Sequence, residues 1–120
     1  MAISNYSNEE PQFVTCDRHL GQKVYTINFN IEEIEDEEQY GQRYRYCSVT
    51  LPVGRYDRSA VISAIIRHRY DDDKMQAIIN NYLLDRGDVE SVMEFEAMQE
   101  YRKFAKKIAD MFLETISEQP

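Results

Sequence analysis

Gln22-Lys23-Val24-Tyr25-Thr26-Ile27-Asn28-Phe29-Asn30-Ile31 is the stretch that decides the fold class. Tyr25, Ile27, Phe29 and Ile31 fall on one side of a two-residue repeat, and Thr26, Asn28 and Asn30 fall on the other. A repeat of two with β-branched and aromatic residues predicts a strand with one wet and one dry face. Downstream, residues 32–38 hold six carboxylates in seven positions, and the expectation there is an exposed loop. Residues 40–51 alternate again. Tyr44, Tyr46, Ser48 and Thr50 share one side, and Arg45, Cys47, Val49 and Leu51 share the other. The two strands are expected to pair antiparallel, with the acidic run as their connection. Upstream, residues 12–16 offer a third short strand, residues 17–21 read as a loop, and residues 1–11 read as a flexible N-terminus. A two-stranded hairpin is marginal in water and needs a packing partner.

The partner is helical. Pro52-Val53-Gly54 ends the second strand with turn chemistry. Asp57 is placed to cap a first helix over residues 58–69, which carries Val61, Ile62, Ala64, Ile65 and Ile66. Asp71, Asp72 and Asp73 open a second helix, where carboxylates suit the positive end of the helix dipole. Met75, Ile78, Ile79, Tyr82 and Leu83 form its buried stripe, and Gly87 is expected to close it as a C-cap. A third helix follows over residues 89–116, with a stripe that runs from Val92 through Met111 and Phe112 to Ile116. At ~1.5 Å per residue it is roughly 40 Å long. A compact domain of this length has a radius of gyration near ~13–14 Å. Such a helix must therefore bend, break, or project one end toward a partner. The expected fold is α+β: an N-terminal antiparallel β-hairpin, with room for a third strand, packed on an αα-hairpin and a long C-terminal helix. With 120 residues, one core is expected, over residues 12–117.

Charge narrows the function classes. The net charge is −8, which disfavours phosphate backbones and anionic membrane surfaces. No apolar run approaches the ~18 residues that span a bilayer. The N-terminal residues show no basic and apolar leader pattern, and Cys16 and Cys47 are the only cysteines, so a reducing cytoplasmic setting is expected. The charge is also unevenly spread. Residues 1–40 and 71–100 each carry 2 basic and 9 acidic groups, whereas residues 41–70 carry 6 basic groups and 1 acidic group. All six basic groups of that island are arginines: Arg43, Arg45, Arg55, Arg58, Arg67 and Arg69. Two readings apply. They pair with acidic side chains of the same fold, or they face a partner.

Catalytic and metal chemistry find little footing. Cys16-x-x-His19 has ligand-like spacing, but Cys47 and His68 stand alone, and the second half of a zinc motif is missing. The chain has four glycines and neither a nucleophile elbow nor a phosphate loop. No enzyme activity, metal or cofactor is therefore expected. The rival class to a protein-binding role is a single-stranded nucleic-acid binder. Arg43-Tyr44-Arg45-Tyr46 alternates guanidinium and ring as such binders do, although on a strand the two sets face apart. The candidate partner-binding residues are Arg43, Tyr44, Arg45, Tyr46, Arg67 and Arg69.

Three stretches also carry a resemblance: Val61-Ile62-Ser63-Ala64-Ile65-Ile66-Arg67-His68-Arg69-Tyr70, Met75-Gln76-Ala77-Ile78-Ile79-Asn80-Asn81-Tyr82-Leu83, and Glu94-Phe95-Glu96-Ala97-Met98-Gln99-Glu100-Tyr101-Arg102. Residues 56–109 resemble small uncharacterised proteins encoded in bacteriophage and prophage structural-gene regions. The resemblance covers somewhat less than half of the chain and brings no catalytic residues. It implies a virion-associated or assembly accessory role, exercised through a protein partner or self-association.

Overall fold

The computed structural model describes residues 4–34 and 43–117. Four strands and three helices follow in order: β1 (Asn5–Ser7), β2 (Val14–His19), β3 (Gln22–Glu33), β4 (Tyr44–Thr50), α1 (Arg58–Arg69), α2 (Asp72–Leu84) and α3 (Val89–Ser117). The strands form one antiparallel sheet in the order β1-β4-β3-β2. The α+β architecture, the hairpin of β3 and β4 and the long C-terminal helix are as the sequence pattern requires.

Alternation sets the layers. Ile27 sits opposite Val49 and Phe29 opposite Cys47, and these side chains face the helices. Tyr25, Ile27, Phe29 and Leu51 are buried there against Val61, Ile65, Tyr101, Ile108 and Phe112. Phe112 packs edge-on against Tyr25 at 5.6 Å between ring centroids. The other sheet face is polar. Thr26 and Thr50 meet through their hydroxyls at 3.1 Å. Asn5 Nδ2 donates to Ser48 Oγ (3.0 Å), Ser48 Oγ donates to Asn28 Oδ1 (2.7 Å), and Asn28 Nδ2 donates to the Gln12 carbonyl (2.7 Å). Buried Asn28 is thereby satisfied on both sides of its amide. Residues 8–13 must carry the chain from one edge strand, β1, to the other, β2. The Asn28–Gln12 bond shows that they leave β2 on the polar side.

Several expectations are corrected. Residues 5–7, read as part of a flexible terminus, form an edge strand because β4 offers them a ladder. The loop expected at 17–21 shrinks to a two-residue turn. β2 continues to His19, which pairs with Gln22, and Leu20 (φ 51°) and Gly21 (φ 82°) make the hairpin. Positive φ at both central positions matches the right-handed twist of the flanking strands. The acidic run is not wholly loop. Glu32 and Glu33 belong to β3, opposite Arg45 and Tyr44, while residues 35–38 lie outside the described residues. A bulge makes this possible. Between Phe29 and Glu32 the sheet spends one more residue on β3 than on β4, and Asn30 adopts φ 52°. The extra residue breaks the alternation, so Glu32 rather than Ile31 lies opposite Arg45.

The helices begin where capping predicts. Asp57 accepts from the Ala60 N–H, and Asp71 accepts from the Lys74 N–H. Gly87 is not the C-cap. α2 ends at Asp85, whose carboxylate accepts from the Gly87 N–H at 3.0 Å, so the side chain closes the turn without a left-handed glycine. Leu83 and Met111, assigned to buried stripes, are exposed. α3 is one continuous helix of 29 residues, about 43 Å long. Its C-terminal half covers the sheet with α1. Its N-terminal half leaves the sheet and pairs with α2, where Tyr82 and Phe95 stack in parallel at 4.0 Å. The radius of gyration is 16.8 Å, and the extents are 50 × 40 × 23 Å. A compact chain of this length would give about 14 Å; α2 packs chiefly on α3 and not on the sheet, so the α2–α3 pair forms an arm beside the core.

Candidate interaction surface

The six candidate residues do not form one surface. Arg45 lies on the helix side of the sheet, because it shares the face of Cys47 and Val49. Tyr44 and Tyr46 lie half-buried on the polar side, flanked by Ser7 and Asn5 of β1. Strand geometry separates rings from guanidinium groups here. Arg67 and Arg69 stand at the C-terminal end of α1, where cations suit the helix dipole.

Each arginine in this set has a local interaction. Arg45 binds Glu32 through Nη2 and through Nε, the latter at 3.1 Å, and this pairing raises its pKa. Arg43 approaches Glu33 at 3.7 Å, and Arg67 approaches Asp72 at 3.8 Å. Arg69 lies over the rings of Tyr70 and Tyr101, at 5.6 and 5.3 Å from their centroids. Elsewhere in the island, Arg58 donates to Asp110 at 2.8 Å and holds that carboxyl below its usual range. These pairs are solvent-exposed, so each contributes little to stability. Their effect is to lower the free positive charge of the island.

Of the four soft ligands, Cys16 is exposed on edge strand β2, Cys47 lies on β4 with β3 between, and the His68 ring packs edge-on against Phe29 at 5.3 Å. Burial pushes the Cys47 thiol pKa up, which favours its protonated form. Among the described residues, no three His, Cys, Asp or Glu side chains gather as metal ligands. No helix among them is long and apolar enough to cross a membrane.

Two surfaces outside the six candidate residues are more prominent, both involving the long helix expected to project toward a partner. The first is the end of the α2–α3 arm, which exposes Leu83, Leu84, Val89 and Met93 beside Asp85, Asp88, Glu90 and Glu94. Leu84 is 84% exposed and Met93 64%. A cleft of about 390 Å³ opens at the arm's root, floored by Ile66, Met75 and Ile79 and rimmed by Arg67, Asp72 and Arg102. The second is the outer face of α3, which is opposite the buried stripe of Met98, Tyr101, Ala105, Ile108 and Phe112. Exposed residues recur there every three or four positions: Met93, Glu96, Glu100, Lys103, Lys107 and Met111. The signal for both was present as helical spacing, but a charged helix face reads as solvated when only the apolar stripe is followed. No family model, curated protein or solved structure matches this chain.

Proposed function

We propose that this chain is a non-enzymatic structural or assembly accessory protein that acts through protein–protein contacts. The observation that carries this reading is the α2–α3 arm. It extends beyond the sheet and leaves four large apolar side chains in water at its end. Contiguous apolar surface with a polar rim is the form that protein contact sites take. The charged rim keeps the arm soluble until a partner covers it. The likeness of residues 56–109 to proteins from bacteriophage structural-gene regions supports an assembly setting, in the virion or in the cytoplasm where one is built.

The competing reading, a single-stranded nucleic-acid binder on β4, has to spend the ion pairs of Arg43 and Arg45 with Glu33 and Glu32 before phosphate can be engaged. Light scattering behind size exclusion, read with absorbance at two wavelengths, tests the two together with anisotropy titrations of labelled single-stranded RNA. The protein-contact reading predicts a protein-like spectrum and no RNA binding at about 200 mM salt, with a mass above the 14.2 kDa of one chain where the partner is a second copy. RNA affinity that falls steeply between about 50 and 200 mM salt, and is lost in Arg43→Glu and Arg45→Glu, would contradict it.

A further inference from the structure

The outer face of α3 has an order to its charges. Glu96 and Glu100 precede Lys103 and Lys107, and the methionines Met93 and Met111 bracket the four. All six are exposed. Their spacings of three and four residues hold them within one narrow stripe of a 3.6-residue helix, on the side away from the core. From Met93 to Met111 the stripe spans about 27 Å.

This order is complementary to its own reverse. Place a second α3 antiparallel to the first, with a two-fold axis midway between Glu100 and Lys103. Glu96 then meets Lys107 of the second copy, and Glu100 meets Lys103. Each pairing occurs twice by symmetry; the methionines flank the charges, and exposed Val89 and Glu114, which continue the stripe, fall opposite each other. A parallel arrangement sets acid against acid and base against base. A two-fold contact needs a self-complementary patch, which this stripe is. From the protein-contact reading above, we infer that the partner is a second copy of this chain, docked antiparallel along the outer face of α3.

The exposed pair within one helix, Glu100 Oε1 accepting from Lys103 Nζ at 3.1 Å, is exchanged on docking for the pairs across the axis. Two further features fit. Asp110, which flanks the basic half and would spoil its sign, is neutralised by Arg58. The sheet edges are poorly suited to pairing. β1 is three residues long, and β2 carries Asp17 and Arg18, which are ways in which edge strands avoid self-association. Charge complementarity of this kind fixes register and orientation, and it makes assembly sensitive to salt.

Sedimentation velocity on the full chain tests the inference, with Glu96→Lys/Glu100→Lys as one variant and Lys103→Glu/Lys107→Glu as a second. The substituted positions are exposed, and circular dichroism checks that both variants keep their helix content. The expected result is a dimer for the unaltered chain and at least tenfold weaker dimers for each variant alone. A 1:1 mixture of the two variants, and a single chain with all four charges reversed, should regain the dimer. A dimer equally strong in every variant would overturn the α3 stripe while leaving the protein-contact reading intact. A monomer at every concentration would overturn the inference as well. Salt-dependent RNA binding is the separate result that would overturn the reading on which it rests.

Discussion

Leu20 is the residue with the least evident reason to be where it is. It is 92% exposed and sits at φ 51° in the first position of a two-residue hairpin turn. The left-handed conformation costs an L-residue roughly 1–2 kcal/mol, and Asn followed by Gly is the favoured pair for such a turn. Leu20→Asn should therefore raise stability by about 1 kcal/mol, read as a higher urea midpoint at unchanged slope. Tyr101 is the opposite case, a polar group held inside for a visible purpose. Its hydroxyl donates to the Ile65 carbonyl at 3.0 Å and ties α3 to α1. Burial pushes its pKa up to about 12, against an ordinary value of 10.0. The raised value makes the neutral phenol the form that the fold favours. Its contribution is complete below pH about 10 and falls away as the pH rises toward about 12, because the unfolded chain ionises first. At pH about 11 the loss should be on the order of 1 kcal/mol. Tyr101→Phe should reduce the stability difference between urea titrations at pH about 9 and pH about 11, even though it weakens the fold at both.

At the scale of elements, legibility follows from whether a segment's own residues carry the reason for its conformation. β3 and β4 were readable because one dry face imposes a period of two, and α1 and α2 because Asp57 and Asp71 announce their first turns. β1 was not readable. Asn5-Tyr6-Ser7 has no alternation to detect and becomes a strand only because β4 lies beside it. The bulge at Asn30 was hidden for a related reason. Alternation continued one residue too far, and only the pairing of Glu32 with Arg45 shows where it stopped. The same shift explains why the basic island looked freer in the sequence than it is in the fold. Leu83 and Met111 lie on apolar helical spacing yet face water, because the pattern gives the face of a helix but not how much of that face a neighbour covers.

The arm makes an element-level prediction. α2 contributes one buried residue, Ile78, and beyond it the Tyr82–Phe95 stack holds α2 on α3. Phe95→Ala should speed amide exchange across α2 by about tenfold or more, while β3, β4 and the C-terminal half of α3 keep their protection. Equal loss of protection everywhere would mean that the arm and the core unfold as one unit.

For the molecule as a whole, the division of labour is between a sheet that anchors and a helix that reaches. Buried Phe112, Ala105 and Ile108 fix one half of α3 to the sheet layer and α1, and that anchorage makes the other half a lever with its own exposed surface. The arginines of the island close pairs with carboxylates or rings nearby, and the charges on α3, where Glu100 and Lys103 also pair, stand in an acidic and a basic block along an exposed stripe. On the proposed reading, contact falls to α3 and its arm, and β4 is scaffold. A dilution series of amide nuclear magnetic resonance spectra tests that assignment most directly. The account predicts concentration-dependent shifts along the outer face of α3, from Met93 to Met111, with residues 43–46 unmoved. Shifts centred on residues 43–46, or spectra that do not change with concentration, would contradict it.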